Sequence, residues 1–479
     1  MHSRYNPEKE AERYIRSLSL NESVRYFILV EPGLGYMIEP LRKIAPGAKI
    51  IAIHAEDCEE LFPPDSKWHP AAGMPLQDFL EKEINDAEAA EIRLLEWRPA
   101  LAVFGNRYLD LVRDAAAFIK RADANTRTLA SFGHVWFRNF FKNLKILRTV
   151  LCSVSVPGPV LVTGAGPGLE EAALLIKQEF PGKELFILSA ASSVAALEAR
   201  GIRADMVIST DGGAWAAFHL YECMRAGPGK GAAPLAVSMT AALPSQCGSL
   251  PVLPVSDGSF WQELILKELG IPFITLPQRG TVTAAALDIA FYLTEAEVYI
   301  AGMDLANSDI RSHARPYSLD RFPEEKACRL NPVYSQAFKR SSLLKAGGSY
   351  DIYASWFEKQ LAVYPRRLHA LGKNNRLFRS PEAGPVSARG GTGGSSGRTT
   401  DAAIFKTITL PAEADLFRKG RELLEKYIGD SGYTEKLCTE LGELLFTGKA
   451  ISPANRKSPE YILEAVHSLL HSGPEHENG

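Results

Sequence analysis

The sequence predicts an α/β protein with three parts: an N-terminal Rossmann-like domain, a central parallel-sheet Rossmann-like domain and a C-terminal helical segment. Two observations carry this. In residues 159–213, apolar runs of strand length alternate with amphipathic helical stretches, and the first run feeds straight into Gly164-Ala165-Gly166-Pro167-Gly168. The same order of apolar run, glycine turn and helix occurs earlier, from Arg25 to Ile44. Strands joined by helical crossovers form parallel sheets, and ligands of such sheets sit beyond the carboxyl ends of the strands.

Composition narrows the class. A chain of 479 residues is too long for one ordinary core, so two or three domains are expected. Its 46% hydrophobic and 23% charged residues are those of a globular protein. A formal net charge of −2 provides no global drive toward nucleic acid or anionic lipid. Six cysteines, at 58, 152, 223, 247, 328 and 438, include no C-x-x-C pair. That pattern argues for reduced thiols, against a disulfide framework and against a zinc site. The start has no secretory apolar core, and no run reaches the ~18 apolar residues of a membrane span. A cytoplasmic protein is expected.

Taken in order, residues 1–22 read as a charged helix and Arg25–Val30 as a strand. Glu31-Pro32-Gly33-Leu34-Gly35 then turns into a helix from Tyr36 to Ile44, and a second strand, Lys49–His54, runs toward Glu56 and Asp57. This is the outline of a half-site for a nucleotide or S-adenosylmethionine. It lacks a third glycine, and Pro32 removes a donor, so a structural layer is the favoured reading. Glu91–Trp97 and Ala100–Phe104 read as strands and Leu109–Arg121 as a helix. Residues 127–150 read as an amphipathic bridging helix, with Trp136, Phe140, Leu144 and Leu147 on one face and Arg138, Lys142, Lys145 and Arg148 on another.

In the central part, strands at Pro159–Thr163, Leu185–Ala190 and Met206–Thr210 alternate with helices at Leu169–Phe180 and Val194–Arg200. The third strand ends in Asp211-Gly212-Gly213. A loop at 227–234 precedes strands at Leu235–Met239 and Val252–Pro254, a helix at Phe260–Leu269 and a short strand at Phe273–Leu276. The last leads into a second glycine turn, Gln278-Arg279-Gly280-Thr281-Val282-Thr283, and the helix Ala284–Leu293. Strand Glu297–Ala301 ends in Gly302-Met303-Asp304. The polar stretch beyond it holds His313, Arg315 and Tyr317 and has the length of an active-site loop. Residues 333–371 look helical, 390–397 have flexible-linker composition, and 404–472 have helical periodicity with no catalytic constellation. The resulting division is 1–150, 151–385, a linker at 386–400, and 401–479.

Glycines at a strand-to-helix turn let a phosphate approach the free N–H groups of the first helical turn, so Gly164–Gly168 is a candidate anion cradle. Gly280-Thr281 is a second, with a hydroxyl. Asp205, Asp211 and Asp304 are read together at one sheet edge, Asp211 foremost because Gly212-Gly213 leaves space beside it. Glu170 and Glu171 are read as helix-dipole partners.

These residues also carry a resemblance. The ordered set G-A-G-P-G-L-E (164–170), A-x-S-S-x-x-A-L (190–197), G-I-x-x-D (201–205), S-T-D (209–211), R-G-T-V-T (279–283) and A-G-M-D-L (301–305), followed by His313-Ala314, resembles one family. It is the domain shared by archaeal 6-hydroxymethylpterin diphosphokinases and by the Maf (motility-associated factor) flagellin glycosyltransferases of bacteria. V-E-P-G-L-G-Y (30–36) and W-F-R-N-F-F-K-N-L (136–144) are similar to the Maf arrangement ahead of that domain. The likeness covers about residues 23–380. Gly168 departs from the family's usual serine, and Ala204 from its proline.

The Maf branch implies a sialyltransferase-like central domain. It would transfer a nonulosonic acid from a CMP-activated donor to Ser or Thr of flagellin. The nucleotide and its phosphate would then lie on Gly164, Gly166, Pro167, Gly168, Ser192, Asp211, Gly280, Thr281 and Asp304, the glycine turns cradling the phosphate and the aspartates meeting ribose or sugar hydroxyls, with Arg315 and Tyr317 closing from the loop. His313 would be the base, with Asp211 beside it and His219 in reserve. The other branch implies diphosphate transfer from ATP, and only there does a cofactor, Mg²⁺, enter. A third reading is a non-catalytic, nucleotide-binding flagellar accessory protein. None of the three calls for nucleic acid as a partner.

Overall fold

In the computed structural model, the described residues are 2–3, 5–84, 91–181, 185–225, 233–277, 279–305, 311–346, 354, 357, 367–372, 403–410, 413–430, 432–449 and 451–471. The expected linker at 386–400 and most of the loop at 227–234 lie outside them. The chain forms two compact units, one of Met1–Gly133 with Gly442–Pro453 and one of His134–Leu441 with Ala454–Gly479.

The first unit is built on a four-stranded parallel sheet: β1 (Tyr26–Val30), β2 (Lys49–Ile53), β3 (Ser66–Trp68) and β4 (Ile92–Glu96), in the order β3-β2-β1-β4. Four of the five residues of β1 and of β2 are buried, as expected for parallel strands covered on both faces. Gly33 and Gly35 take positive φ of 63° and 82°. A Cβ at Gly33 would collide with the His2 imidazole, and one at Gly35 with the Phe62 carbonyl. The glycines thus admit the protein's own atoms, which is the structural layer. Ala100–Phe104 is not a strand: a 3₁₀ turn at Arg98–Ala100 continues into a single helical turn, Leu101–Phe104, consistent with Pro99 beginning a turn.

The two helical stretches expected at 109–121 and 127–150 are one helix of 41 residues, Asn106–Ile146. No proline or glycine pair interrupts it, so the single Gly133 is tolerated. It ends sooner than expected, because residues 149–155 form a strand. Phe137, Phe140, Phe141 and Leu144 are fully buried, and Trp261 packs edge-on against Phe140 with ring centroids 4.7 Å apart. Of the basic row, Lys145 lies 4.1 Å from the centre of the Phe417 ring, and Arg148 donates to the carbonyls of Lys145 and Leu147.

The second unit holds a ten-stranded sheet. Its strands are β5 (Thr149–Ser155), β6 (Val160–Thr163), β7 (Phe186–Ala190), β8 (Met206–Ser209), β9 (Leu235–Ser238), β10 (Pro251–Ser256), β11 (Ile274–Thr275), β12 (Val298–Ala301), β13 (Leu368–Ala370) and β14 (Ile404–Thr409). The order is β13-β12-β6-β7-β8-β9-β10-β5-β14, with β11 beside β10. Every pairing is parallel except that of β14, which runs antiparallel to β5. β14 therefore corrects the all-helical expectation for 404–472; its residues are all exposed, and helical periodicity says nothing about such a segment. The helices Glu413–Ile428, Thr434–Phe446 and Pro459–His471 follow as expected.

From β6 the chain moves through β7, β8, β9 and β10 on one side, then returns through β12 on the other. The carboxyl ends of β6 and β12 thus flank the point where strand order reverses, where ligands of open α/β sheets bind. Helix Val282–Leu293, with seven buried residues, covers the sheet there.

Two asparagines clamp the long helix to this sheet. Asn139 Nδ2 donates to the carbonyls of Gly212 and Thr240 at 3.1 and 3.0 Å, and Asn143 Nδ2 to those of Met239 and Ala241, both at 2.9 Å. Spaced four apart, the two amides reach the loops after β8 and β9 from one helix face. Asn143→Ala leaves two carbonyls without their donor in a site where the asparagine is 1% exposed. It is expected to lower stability by about 2–4 kcal/mol, read from the midpoint of urea unfolding.

Candidate functional site

The turn after β6 is held by its neighbour strand. Gly164 N–H donates to the Ala301 carbonyl at 2.8 Å and Gly166 N–H to that of Gly302 at 2.7 Å. Gly168, the N-cap of helix Leu169–Glu179, donates its N–H to Asp304 Oδ2 at 2.5 Å. Pro167 has no N–H to offer. The donors expected to cradle a phosphate are therefore engaged within the protein, and a carboxylate already stands at the helix N-terminus where the dipole favours an anion. Asp304 is 7% exposed, and its burial raises its carboxyl above the usual range, a shift that the Gly168 N–H opposes.

This packing accounts for Gly168. A Cβ there would stand 2.5 Å from Asp304 Oδ1, and one on Gly166 would stand 2.6 Å from Oδ2. The glycines make room for the aspartate. At Gly164 the missing Cβ would lie 3.1 Å from Thr283 Cγ2, so the second glycine turn touches the first. In that second turn Gly280 has a φ of 72°, and Thr281 is the N-cap of its helix, accepting from Ala284 N–H at 3.1 Å. That bond uses an oxygen lone pair and leaves the hydroxyl hydrogen for another acceptor.

The loop beyond Asp304 is tied back over the turn. Ala314 N–H donates to the Ala165 carbonyl at 2.8 Å, and Arg315 N–H to Glu170 Oε1 at 2.9 Å. Glu170 also pairs with Arg200 at 3.3 Å and Arg311 at 3.4 Å. It therefore does more than complement a helix dipole: it anchors the loop, a function that sequence reasoning missed. His313 lies flat on Tyr317, with ring centroids 4.0 Å apart and planes 8° from parallel, and its Nδ1 is 2.8 Å from Ser312 Oγ. Tyr317 Oη reaches His219 Nε2 at 3.4 Å, while His219 Nδ1 is 3.0 Å from Ser318 Oγ. Both nitrogens of His219 are thus engaged, which suits it to holding Tyr317 rather than to taking a proton.

Beside this loop lies a cavity of about 420 Å³, walled by Arg311, His313, Arg315, Lys326, Phe322 and Tyr334 among others. Arg315 Nε is 3.4 Å from Asp320. Of the lining, Arg311, Lys326, Phe322 and Tyr334 were absent from the sequence-based candidates; the basic residues scattered through 311–329 were the available signal.

Three sequence expectations are corrected. Asp205 precedes β8 and Asp211 follows it, so they occupy opposite edges of the sheet, and Asp205 Oδ2 accepts from Ile187 N–H at 2.9 Å. The space at Gly212 is filled by the Trp136 ring and does not await a ligand. Asp211 is exposed and accepts from Gly213 N–H at 2.7 Å. Ser192 is half-buried in a 3₁₀ turn, while its neighbour Ser193, fully buried, contacts the hydroxyls of Thr163 and Ser189 at 3.2 and 2.8 Å. The donor set does not fit a Mg²⁺ site built from these three aspartates, since they do not converge. Among the described residues, the one group of three or more ligand-type side chains close enough for a metal lies in the first unit.

Residues 136–309 match the family model described as 6-hydroxymethylpterin diphosphokinase MptE-like. That span contains both glycine turns, Asp211 and Asp304, and stops short of His313. An uncharacterized protein of Treponema pallidum (strain Nichols) is 27% identical over 285 residues, 59% of this chain and 60% of that protein, so the match spans less than two thirds of its length. A MAf glycosyltransferase from Magnetospirillum magneticum AMB-1 aligns over 97% of this chain and 87% of its own, at 14% identity and a TM-score of 0.49. Among the described residues, no helix is long and apolar enough to cross a membrane.

Gly168→Ser is expected to lower stability by about 1–3 kcal/mol through overpacking against Asp304. In a double-mutant cycle measured by urea unfolding, the added change Asp304→Ala should recover most of that loss. Asp304 also sets a pH dependence. Its carboxyl is raised in the folded state, so the stability it contributes is present at low pH and lost as pH rises through the folded value. Asp304→Asn keeps an oxygen for Gly168 and removes the buried charge. Its stability relative to wild type should therefore rise with pH across that window, and unfolding at a series of pH values checks the sign.

Proposed function

We propose that, around its MptE-like domain, the chain is a Maf-like glycosyltransferase that moves a nonulosonic, sialic-acid-like sugar from a CMP-activated donor to Ser or Thr of flagellin. The single observation that supports it most is the cation-lined cavity beside His313, placed by the loop that Glu170 ties to the turn after β6. A CMP-activated nonulosonic acid carries two anionic groups, the phosphodiester and the sugar carboxylate. Arg311, Arg315 and Lys326 are the complementary charges. The aromatic faces of Phe322 and Tyr334 suit a pyrimidine or a sugar ring.

In this reading the acceptor hydroxyl attacks the anomeric carbon. The bond from that carbon to the phosphate oxygen breaks, and CMP leaves with the electron pair. His313, oriented by Ser312 at Nδ1 and by the Tyr317 ring, takes the hydroxyl proton at Nε2. The cations stabilise the charge gathering on the departing phosphate. Thr281 offers its hydroxyl hydrogen from the second turn, and Asp211, exposed beyond β8, offers a carboxylate to sugar or ribose hydroxyls. Cytoplasmic action on flagellin subunits completes the proposal.

Incubation of the full chain with flagellin and a panel of CMP-activated nonulosonic acids should yield modified flagellin and free CMP. Flagellin left unmodified across the panel overturns the proposal. His313→Ala should reduce kcat by about 10²–10⁴ with little change in donor KM. Lys326→Ala should instead raise donor KM by roughly 10–100-fold, the loss of one charged hydrogen bond.

The matched family model favours a second reading, diphosphate transfer from ATP to a hydroxymethylpterin. Mg²⁺-dependent release of AMP in the presence of the pterin is its signature, and the separated aspartates argue against it.

A further inference from the structure

The first unit holds a group of polar side chains that the proposed transfer does not use. Glu31 follows β1, His54 follows β2, and Cys58 and Glu60 lie on the segment after His54. Their heteroatoms converge. Glu60 Oε1 is 2.8 Å from His54 Nε2, while Glu31 Oε2 and Cys58 Sγ are each 3.5 Å from His54 Nδ1. One ligand atom from each of His54, Cys58 and Glu60 fits within a mutual 4.8 Å.

The group is built into the fold. The side chains of His54, Glu31 and Glu60 are 1%, 2% and 4% exposed. Glu31 adopts a φ of 53°, a left-handed conformation that costs a non-glycine residue about 1–3 kcal/mol and persists only where surroundings enforce it. It also accepts from Ala55 N–H, which fixes its carboxylate beside the imidazole. Two buried carboxylates therefore face one imidazole and one thiol, with Lys67 Nζ 3.7 Å from Glu60 Oε2. Beside them, His69 at the end of β3 has a buried Nδ1 with no hydrogen-bond partner.

We propose that His54 Nε2, Cys58 and Glu60 bind a divalent transition metal of the zinc class, with the Glu31 carboxylate holding the Nδ1 side of the imidazole. Imidazole, thiolate and carboxylate together are zinc ligands, and hard cations such as Mg²⁺ do not select the sulfur. Tetrahedral bonds of ~2.0–2.3 Å place neighbouring ligand atoms ~3.3–3.8 Å apart; with His54 Nε2 as the ligand nitrogen, Glu60 Oε1 at 2.8 Å would move outward and Cys58 Sγ at 4.0 Å inward to meet that range. On binding, the Cys58 S–H bond breaks, its proton goes to solvent and a metal–sulfur bond forms. The charges then balance at the ion: its two positive charges meet the thiolate and the Glu60 carboxylate, whose other oxygen faces Lys67 Nζ at 3.7 Å. The ion would pin residues 54–60 against the carboxyl ends of β1 and β2. The ligand pattern is H-x-x-x-C-x-E, with one cysteine, and a search for cysteine pairs passes over it.

The test uses the full chain, stripped with a chelator and titrated with Zn²⁺ against a chromophoric competitor and, separately, with Co²⁺. Wild type is expected to take up a single equivalent, show thiolate-to-cobalt charge-transfer absorption, and release a proton. Cys58→Ser should abolish that absorption, and His54→Gln and Glu60→Gln should each weaken zinc by about 10–100-fold or more. Zn²⁺ should raise the Tm of wild type and leave that of Cys58→Ser unchanged. Because His54 is buried, its variant needs a thermal-unfolding control in chelator; if it does not fold, the half-buried Cys58 carries the comparison. Wild type that takes up no stoichiometric metal, or cobalt binding with no thiolate absorption and no change in Cys58→Ser, overturns the proposal.

Discussion

A buried carboxylate sets the geometry of the second unit. Because β12 returns beside β6, the residues leaving both strands must share one small space, and Asp304 is placed against the turn after β6. A carboxylate taken out of water needs donors, and here the Gly168 N–H supplies one at the positive end of a helix. It also needs volume, which Gly166 and Gly168 provide by having no side chain. With Asp304 seated, helix Leu169–Glu179 starts where Glu170 reaches the backbone of Arg315, and the loop carrying His313 is fixed above the turn. Residues of the candidate site that are far apart in sequence are thus located by one short chain of contacts.

The same contact occupies a donor of the turn. A glycine turn whose N–H groups are spent on Ala301, Gly302 and Asp304 has few donors left for a phosphate. In the proposed transfer, charge recognition falls instead to Arg311, Arg315 and Lys326, which line the cavity. Arg311 and Arg315 are paired with Glu170 and Asp320 through half-exposed side chains, and such pairs contribute only about 0–1 kcal/mol. Pairs that weak exchange readily for a phosphate or a sugar carboxylate, so the partners hold the cations in position without occupying them against a ligand.

The fold was legible wherever burial imposed a pattern. β6, β7 and β8 are buried along their whole lengths and read as unbroken apolar runs. β14 is exposed at every position, and its pairing with β5 spans some 250 residues of sequence, so no local signal marks it. Around the site, both glycine turns and the loop of His313 were legible as motifs, while the occupants of the spaces beside the glycines were not. A missing side chain announces a close approach without naming what approaches. At Gly168 it is Asp304, and at Gly212 it is Trp136. Glu170, Asn139 and Asn143 were overlooked for a related reason: each acts on backbone atoms that are remote in sequence.

The two units repeat one local plan and put it to different ends. Each contains a buried strand followed by a glycine turn and a helix, and in each an acidic residue stands by the turn. In the second unit the acid, Asp304, comes from a neighbouring strand and caps the helix. In the first, Glu31 comes from the strand itself, and its left-handed backbone turns the carboxylate sideways, toward the end of β2. That rotation points it away from any phosphate over the turn, which the His2 ring in any case covers. It aims the acid at His54 instead. Where a nucleotide-binding layer would meet a ribose with a carboxylate, this layer meets an imidazole and a thiol, and the ligand such a set can hold is a metal ion rather than a nucleotide.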